Sequence, residues 1–444
     1  MAVASTECLA SSAESELRVE ENEVTLESVK DSIQDLYDFR DSYYERHPGA
    51  SLDMRNDAVE CQLKCLLTTL EQNRALLEKV DKAVYLMLKG RALNIRQEYE
   101  PETHAILSKS VKLNPKLVEA WNELGECYWK KNDLQKALNC YEGVLKLTKD
   151  KVALRNLSMV LRQISTTPEQ HSKNICSSIA RAREAVELDV SDGRSWCVLG
   201  NSYITLYFTS SLQQSHLQQS LSAFMRALED PKMKYSPDLH YNYAMALRHQ
   251  EDYQKALKNF YWSSVLDPYW DAPKEKCRYL LKYLTNVNEM VKSKGHMKPR
   301  KITNVLASVK PHHMGPFKDH ASIKSVEFNK LTSGRNSGCI LVCKVLCIII
   351  SEEKFPFTFC AVDSSSTCFA VTIYNMAEGK GFVAGDTVVI PEPLVHFVQV
   401  TFDEKEISFP SVRVDSPLVL VVNGRTLNAE IQSPLQLEVY RKKD

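Results

Sequence analysis

The sequence predicts an α + β protein of two parts, an array of paired helices followed by a small all-β domain. Three observations predict it. Residues 23–295 contain few Gly and Pro and space their apolar residues by three and four, which is typical of amphipathic helices. The same region repeats a pattern of aromatic and small residues. Beyond residue 321, alternating β-branched runs between turn residues are typical of strands.

Length and charge limit the function classes. The chain has 444 residues, enough for two or three domains of roughly 150 residues each. Its 56 basic and 56 acidic residues balance, so no net charge attracts it to nucleic acid or to a membrane surface. The longest apolar run, 339–350, is interrupted by Lys344 and is too short to cross a membrane. We therefore interpret it as a buried strand and expect no membrane partner.

The cysteines and the missing motifs argue against catalysis. The 13 cysteines form no CxxC pair, and with no secretory signal at the N-terminus we interpret them as reduced intracellular thiols. Cys339, Cys343 and Cys347 recur every four residues, and we interpret them as small buried fillers rather than metal or redox ligands. The sequence has no P-loop, nucleophile elbow or metal-spaced His/Cys cluster. We expect no enzyme, no catalytic residue, no cofactor and no metal.

Composition divides the chain into four segments. Residues 1–22 are small, polar and acidic, and we expect a disordered tail. Residues 23–295 form the helical array, closed by a capping helix from about Pro273. Residues 296–320 are basic and interrupted by Gly and Pro, which predicts a linker. Residues 321–444 carry the strand-like runs and predict the β-domain.

The clearest repeat unit is "WNELGECYWKKNDLQKALNCYEGVLKL", which begins at Trp121. Its Trp, Leu, Gly, Tyr, Ala and Tyr spacing resembles the tetratricopeptide repeat, a pair of antiparallel helices. Gly125 and Ala137 let the two helices of the unit touch closely. Further first helices begin at Leu154, Trp196 and His240, at intervals that match or exceed the usual 34 or so residues. We expect the extra residues in two loops, "TTPEQHSKN" and "FTSSLQQSHLQ".

The repeat frame nominates residues for a binding groove. Stacked helix pairs form a superhelix whose concave face is lined by first helices, and helical periodicity sends fixed places of each repeat to that face. The candidates for peptide binding on this basis are Arg155, Arg162, Asn201, Asp238 and Tyr241. This mixture of charges suits a short peptide better than nucleic acid, which requires mostly Lys and Arg. The alternative is that these charges pair with one another across the groove.

The β-rich segment resembles the oligonucleotide/oligosaccharide-binding (OB) fold. The rhythm "FTFCAVDSSSTCFAVTIYN" followed by "AGDTVVI" is typical of that β-barrel. Six aromatic residues are candidates to stack on bases, but few Lys or Arg accompany them, so we favour protein docking over single-strand binding. The aromatic candidates are Phe357, Phe359, Phe369, Tyr374, Phe397 and Phe402. Nucleic-acid binding through this domain stands as the alternative.

A basic segment precedes the β-domain and is the one patch suited to phosphate. We interpret it as a solvated linker or as a contact for ribosomal RNA or a nuclear-import factor. Its members are Lys292, Lys294, Lys298, Arg300 and Lys301.

Several motifs together are similar to the tetratricopeptide-repeat protein five (Strap) family. They are "NLSMVLRQ", "DGRSWCVLGNSY", "SPDLHYNYA", "FPFTFCAVDS" and "SFPSVRVDSPLVLVVNG", and the resemblance covers the chain from about residue 25. It implies an adaptor that binds the nascent N-terminal tubulin peptide (Met-Arg-Glu and one more residue) at the ribosome and triggers tubulin mRNA decay through a decay adaptor. The alternative role that it implies is a nuclear stress-response coactivator scaffold for a histone acetyltransferase and a tumour-suppressor transcription factor. Cytoplasmic and nuclear localisation follow from these two roles.

The resemblance also implies roles for individual residues. The arginine of "VLRQ", Arg162, takes the acidic side chain of the peptide. The aspartate of "PDLH", Asp238, takes a basic one. A third family acid is replaced here by Ala272, and the neighbouring Asp271 is the candidate to take its place.

Overall fold

A computed structural model of the chain describes residues 24–164, 167–211, 213–318, 323–352 and 356–433. The predicted acidic tail, 1–22, and the last residues of the β-domain lie outside this described part. The chain divides into two compact units, one comprising 1–43 and 50–153 and the other 44–49 and 154–444. Within the described part, no helix is long and apolar enough to cross a membrane.

Helices occupy most of the described chain up to residue 307, past residue 295, where the sequence predicted the helical array to end. In chain order they are α1 Leu26–Asp41, α2 Tyr43–Arg46, α3 Leu52–Gln72, α4 Arg74–Leu93, α5 Pro101–Leu113, α6 Val118–Lys130, α7 Leu134–Leu147, α8 Lys151–Gln163, α9 Pro168–Leu188, α10 Gly193–Leu206, α11 Gln214–Ala227, α12 Pro237–His249, α13 Tyr253–Leu266, α14 Asp271–Lys292 and α15 Pro299–Ala307. The four first helices that the sequence predicts are α6, α8, α10 and α12. The segment predicted as a linker, 296–320, contains α15.

The two predicted insertion loops are mostly helical, so that prediction was wrong. Helix α9 begins at Pro168, and the Thr167 hydroxyl accepts a hydrogen bond from the Gln170 amide at 3.2 Å. A Thr N-cap followed by Pro at the first helical position is a strong start signal, because it satisfies free amides and presets the backbone. The second insertion forms a π-helical turn over Tyr207–Ser211 and then enters α11.

Close packing within the α6/α7 pair depends on Gly125. A Cβ at this position would lie 2.6 Å from the ring of Tyr141, which is itself 1% exposed. Such a distance is far inside van der Waals contact, and the closely packed ring has little room to move. The small residue that defines the repeat pattern is therefore a packing requirement of the helix pair.

We expect Gly125→Ala to lower the free energy of unfolding by about 1–3 kcal/mol, because the methyl group overpacks the Tyr141 contact. Gly143→Ala in the adjacent helix is the matched control, since a Cβ there meets nothing within 4 Å. That control should gain up to about 1 kcal/mol from helix propensity. Chemical denaturation of both variants tests the contrast, and equal effects would contradict it.

The C-terminal region is a β-sheet domain. Its strands are β1 Lys324–Ser325, β2 Gly334–Arg335, β3 Cys339–Ile349, β4 Phe357–Asp363, β5 Cys368–Ile373, β6 Thr387–Pro391, β7 Leu394–Phe402, β8 Lys405–Val414, β9 Val421–Val422 and β10 Arg425–Thr426. Their order is β10-β9-β6-β3-β4-β5-β8-β7-β2, with β1 paired in parallel to β3. The long central strands carry the β-branched and aromatic runs, which pack one face into a core.

Within the second unit, the β-domain packs against α12, α13 and α14 through a buried polar cluster. Arg413 on β8 donates hydrogen bonds to the His249 carbonyl at 2.6 Å and to Asp415 at 2.7 Å. Its guanidinium lies 3.7 Å from Glu251 and 3.9 Å from the ring centroid of Tyr374. The side chains of Arg413 and Glu251 are 4% and 1% exposed, so this charge network fixes the β-domain on the repeat helices.

Further hydrogen bonds and a shared hydrophobic core join the β-domain to α13 and α14. Tyr283 of α14 shares a hydrogen bond of 2.9 Å with Thr358 of β4, and Gln254 of α13 exchanges two hydrogen bonds with the backbone of Thr401. Buried residues of α12–α14 and of the sheet belong to one continuous hydrophobic core. Helices α12–α14 and the β-domain therefore form one packed body within the second unit, rather than two domains on a free linker.

Candidate peptide-binding site

Residues of three consecutive first helices meet around one buried thiol in the second unit. Cys197 of α10 is 8% exposed, and burial raises the pKa of its thiol to about 12. The nearby charge of Asp238 also raises this pKa, whereas Arg162 and Arg155 lower it. All three charges therefore lie near Cys197. We call Arg155, Arg162, Cys197, Asn201 and Asp238 the groove site.

Helix geometry explains how α8 presents its two arginines. Arg155 and Arg162 are seven residues apart, close to two turns of helix, so their side chains leave α8 on the same side. Leu154, Leu157 and Val160 are buried, which turns the opposite side of the helix to the core. Both arginines therefore lie on the side of α8 that faces away from this buried core.

Arg162 is half-buried, and its guanidinium has no counter-ion among the described residues. Its Nε atom is shielded from solvent and has no hydrogen-bond partner among the described residues. Burial lowers the pKa of its guanidinium to about 10, and no carboxylate opposes this shift. A buried ion without a partner is unfavourable, and an entering carboxylate would relieve it. The site thus has the chemistry of an anion acceptor.

Arg155 is engaged within the chain. Its Nη1 lies 3.0 Å from an Asp192 carboxylate oxygen, and the two side chains are 13% and 12% exposed. Asp192 precedes α10 in sequence, and Ser195 also donates a hydrogen bond to its carboxylate. The alternative that the charges pair with one another therefore applies to Arg155, and this contact ties α8 to the start of α10. Sequence reasoning missed Asp192, although an acid just before a helix is a common capping signal.

Asn201 offers an acceptor to a ligand. Its amide nitrogen contacts the Cys197 sulfur at 3.8 Å, while its Oδ1 is shielded and has no hydrogen-bond partner among the described residues. An unpaired amide oxygen at this position can accept an N–H from a peptide backbone. Asn201 lies one helical turn beyond Cys197, so it extends the groove site along α10.

Asp238 and Asp271 are the exposed acids near this region. Asp238 lies in the first turn of α12, where Ser236 caps the helix by accepting a hydrogen bond from the Leu239 amide. Asp271 begins α14 and is also exposed, whereas Ala272 is half-buried. Carboxylates in a first turn interact favourably with the helix dipole, so both positions place negative charge at a helix N-terminus.

Tyr241 links the two acids. It lies one turn after Asp238 on α12, and its ring packs at 4.6 Å against Trp270, the residue before Asp271. Sequence reasoning missed Trp270, whose signal is an aromatic residue just before a helix start. Asn201 thus contacts Cys197, the charges of Arg155, Arg162 and Asp238 act on the Cys197 thiol, and the Tyr241–Trp270 contact joins α12 to the start of α14.

The five residues of the basic segment are all exposed, from the last turn of α14 to the first turn of α15. Lys294 is anchored, because its Nζ donates a hydrogen bond of 3.1 Å to the Ser366 carbonyl. The structure places these residues away from the protein core, where their charges are open to a phosphate-bearing partner.

The β-domain lacks most of the stacking surface proposed for single-stranded nucleic acid. Phe359, Phe369 and Tyr374 are 0–2% exposed, so their faces pack against the core rather than against bases. Phe357 and Phe402 are half-buried, whereas Phe397 is 56% exposed. One exposed ring is a poor platform, since single-strand binding needs successive stacking faces along a basic groove.

Comparison with known proteins agrees with this two-part organisation. The family model described as the tetratricopeptide repeat protein 5 OB fold domain matches residues 322–436, and the tetratricopeptide repeat model matches residues 118–151. Among solved structures, the chain is similar to the Cut9 and Hcn1 hetero-tetramer of the APC/C, with a TM-score of 0.40 and 17% identity. That likeness covers 58% of this chain and 47% of the other.

Full-length relatives give the family. Tetratricopeptide repeat protein 5 of Mus musculus is 41% identical over 426 residues, covering 93% of this chain and 96% of the relative. The protein of the same name from Homo sapiens is 40% identical over 428 residues, covering 93% of this chain and 97% of the relative. The paired helices, the β-domain and these relatives agree, and the chain belongs to the tetratricopeptide repeat protein 5 family.

Proposed function

We propose that this protein is a non-enzymatic adaptor that binds the nascent N-terminal tubulin peptide in its repeat groove and thereby triggers tubulin mRNA decay. The single observation that carries the proposal is the Arg162 guanidinium, whose Nε atom is shielded from solvent and which has no carboxylate partner among the described residues. A peptide that begins Met-Arg-Glu brings the missing carboxylate. Tetratricopeptide repeats are typical of proteins that bind other proteins, and the family carries them, which agrees with an adaptor role.

The groove site offers complementary groups for the other parts of such a peptide. Asp238 is the acceptor for the peptide arginine, and Asn201 is the acceptor for a backbone amide. An arginine paired with the peptide glutamate can form a bidentate fork, which fixes direction as well as charge. Because Arg162 and Asp238 carry opposite charges, the groove site favours one direction of the bound peptide over the reverse direction.

The basic segment supports a ribosomal location for this adaptor. Five exposed cations on a short stretch suit the phosphate backbone of ribosomal RNA, whose attraction does not depend on sequence. In this proposal the basic segment holds the protein near the nascent chain, while the decay adaptor binds elsewhere on its surface. In this role the protein would act in the cytoplasm. The alternative role, a nuclear scaffold, would use the outer surface of the repeats and the β-domain instead of the groove.

Crosslinking to translating ribosomes tests the proposal. Ribosomes that synthesise β-tubulin should capture the protein, whereas ribosomes that synthesise an unrelated protein of equal length should not. Replacing the tubulin glutamate codon with one for glutamine should remove the capture, because the partner of Arg162 is then lost. Equal capture by both nascent chains would contradict the proposal.

Asp271 supplies a further prediction. If it takes the place of the family acid at 272, Asp271→Ala should weaken peptide binding about three- to ten-fold, as expected for one exposed charge contact. Ala272→Glu adds a carboxylate at the neighbouring position and is expected to tighten binding. Titration of a fluorescent Met-Arg-Glu peptide measures both, and Glu275→Ala, one turn further into α14, is the control expected to change nothing.

A further inference from the structure

Three thiols meet on the face of the sheet that packs against α14. Cys347 on β3 lies directly opposite Cys360 on β4 in the strand register. Cys368 on the neighbouring strand β5 brings its sulfur to 3.4 Å from that of Cys360. Cys360 is therefore the central thiol of this trio, which we call the thiol cluster.

The thiol cluster joins a buried group to two accessible ones. Cys360 is 0% exposed and its sulfur lies 3.5 Å from the Met290 carbonyl of α14. Cys347 and Cys368 are half-buried, so a small solute can reach them. The backbone of Gly295 lies over Cys347, where an added Cβ would come within 3.2 Å of the sulfur. The end of α14 and the turn that follows it thus cover the cluster at Cys360 and Cys347.

Metal binding does not account for the thiol cluster. In the part of the chain that the structure describes, no group of three or more His, Cys, Asp or Glu side chains has an arrangement suited to a metal ion. The structure therefore leaves thiol chemistry as the property to explain. The sequence predicted that Cys347 only fills space in the core. That interpretation does not explain why three thiols lie together.

The surroundings favour a thiolate at the edge of the cluster. A hydrogen bond from the Cys360 thiol lowers the pKa of Cys368, and the nearby Lys294 ammonium lowers it further. The same thiol also lowers the pKa of Cys347, to about 7, but Cys360 has one proton and donates to one neighbour at a time. Cys368 combines the 3.4 Å contact with a fixed cation, which makes it the better nucleophile.

We propose that the thiol cluster is a hydroperoxide-reactive site in which oxidation joins Cys368 to Cys360. The Cys368 thiolate attacks the terminal oxygen of the hydroperoxide, the O–O bond breaks, and the departing alkoxide or hydroxide takes up a proton. Cys368 becomes a sulfenic acid. The Cys360 sulfur then attacks that sulfur, its proton leaves with the hydroxyl as water, and a disulfide forms. Two thiols are oxidised and one hydroperoxide is reduced to an alcohol, or to water when the oxidant is hydrogen peroxide.

This oxidation would act where the basic segment is anchored. The disulfide takes up the Cys360 sulfur that lies 3.5 Å from the Met290 carbonyl near the end of α14. Lys294 reaches the Ser366 carbonyl in the turn that separates Cys360 from Cys368. A change in that turn therefore reaches both the last turn of α14 and the first cations of the basic segment. This inference does not depend on the tubulin proposal.

Hydrogen peroxide treatment of the full-length chain tests the proposal. We expect a peptide that links Cys360 to Cys368, with the loss of two hydrogens, in a non-reducing digest read by mass spectrometry. Sulfenic-acid trapping at Cys368 should be about ten-fold faster than at the exposed helical thiols Cys61 and Cys65, because the reactive form is the thiolate. Reduction with dithiothreitol should reverse the link.

Three isosteric variants locate the pair. Cys360→Ser removes the resolving thiol, so trapped sulfenic acid should accumulate at Cys368. Cys368→Ser should abolish the fast reaction, and Cys347→Ser is the matched control that keeps it. Reaction at Cys61 or Cys65 without the Cys360–Cys368 link would overturn the proposal, as would a link from Cys347 to Cys360 in its place.

Discussion

Arg162→Ala abolishes capture of a Met-Arg-Glu peptide, with an expected loss of affinity of about 100-fold or more, because removing one partner of a shielded charge pair typically costs 2–5 kcal/mol. The protein should remain folded, since Arg162 makes no ion pair with the described residues and its removal takes an uncompensated charge out of the groove. Fluorescence anisotropy with a labelled peptide measures the affinity, and circular dichroism checks the fold.

One further variant shows whether the charge alone or the guanidinium group of Arg162 is needed, and a second variant is the control. Arg162→Lys keeps the charge but loses the fork, so an intermediate affinity is expected. Arg181→Ala removes an exposed arginine that pairs with Glu184 on α9, and it should bind the peptide as the unmodified protein does. Undiminished capture by Arg162→Ala would refute the assignment of Arg162.

The lowered pKa of Arg162 sets the pH dependence of capture. Its charged form exists below about 10, so the guanidinium is fully charged at neutral pH. Binding stabilises that charged form. Capture should therefore be constant around neutrality and decline as the pH rises through about 10.

Arg413→Met should lower the free energy of unfolding by about 3–5 kcal/mol, because it leaves the buried Glu251 carboxylate without its cation. Glu251 is 1% exposed and also accepts a hydrogen bond of 2.8 Å from Tyr374, so it cannot turn towards water in place. The β-domain should detach from the repeat helices before either part unfolds. Urea denaturation followed by limited proteolysis measures both effects.

A surface arginine provides the control for this interface. Arg226 pairs with Glu229 at the end of α11, and the two side chains are 62% and 65% exposed. Arg226→Met should change the stability by less than about 1 kcal/mol, as exposed ion pairs usually do. Similar losses for Arg413→Met and Arg226→Met would show that the buried cluster does not hold the two regions together.

Local patterns made the helix pairs predictable, because each repeat records its own packing. The spacing of Trp121, Gly125 and Tyr141 reflects contacts inside one α6/α7 pair, so the pair can be predicted from this one sequence. The two insertions were harder. "TTPEQHSKN" has a helix-start signal at Thr167 and Pro168, but its polar composition favoured a loop. Packing of α9 along the repeat outweighed that local preference.

Long-range partners explain what the sequence could not provide for the site. The repeat frame placed Arg155 and Arg162 on one face of α8, yet it could not distinguish the paired arginine from the unpaired one. That difference depends on Asp192, 37 residues from Arg155. The interface contact between Arg413 and His249 joins residues 164 positions apart, and no periodicity records it. The sequence nominated Phe359 and Phe369 as stacking candidates, but their burial depends on the folded sheet.

A double-mutant cycle between Arg162→Ala and a glutamate-to-glutamine change in the Met-Arg-Glu peptide tests the central claim most directly. Peptide affinities of all four combinations are measured by calorimetry, with Asp238→Asn as a second protein variant that should not couple to this peptide change. If Arg162 takes the peptide carboxylate, the two changes should be non-additive, with a coupling energy of about 2 kcal/mol or more. Additive losses, with no more coupling at Arg162 than at Asp238, would contradict the account.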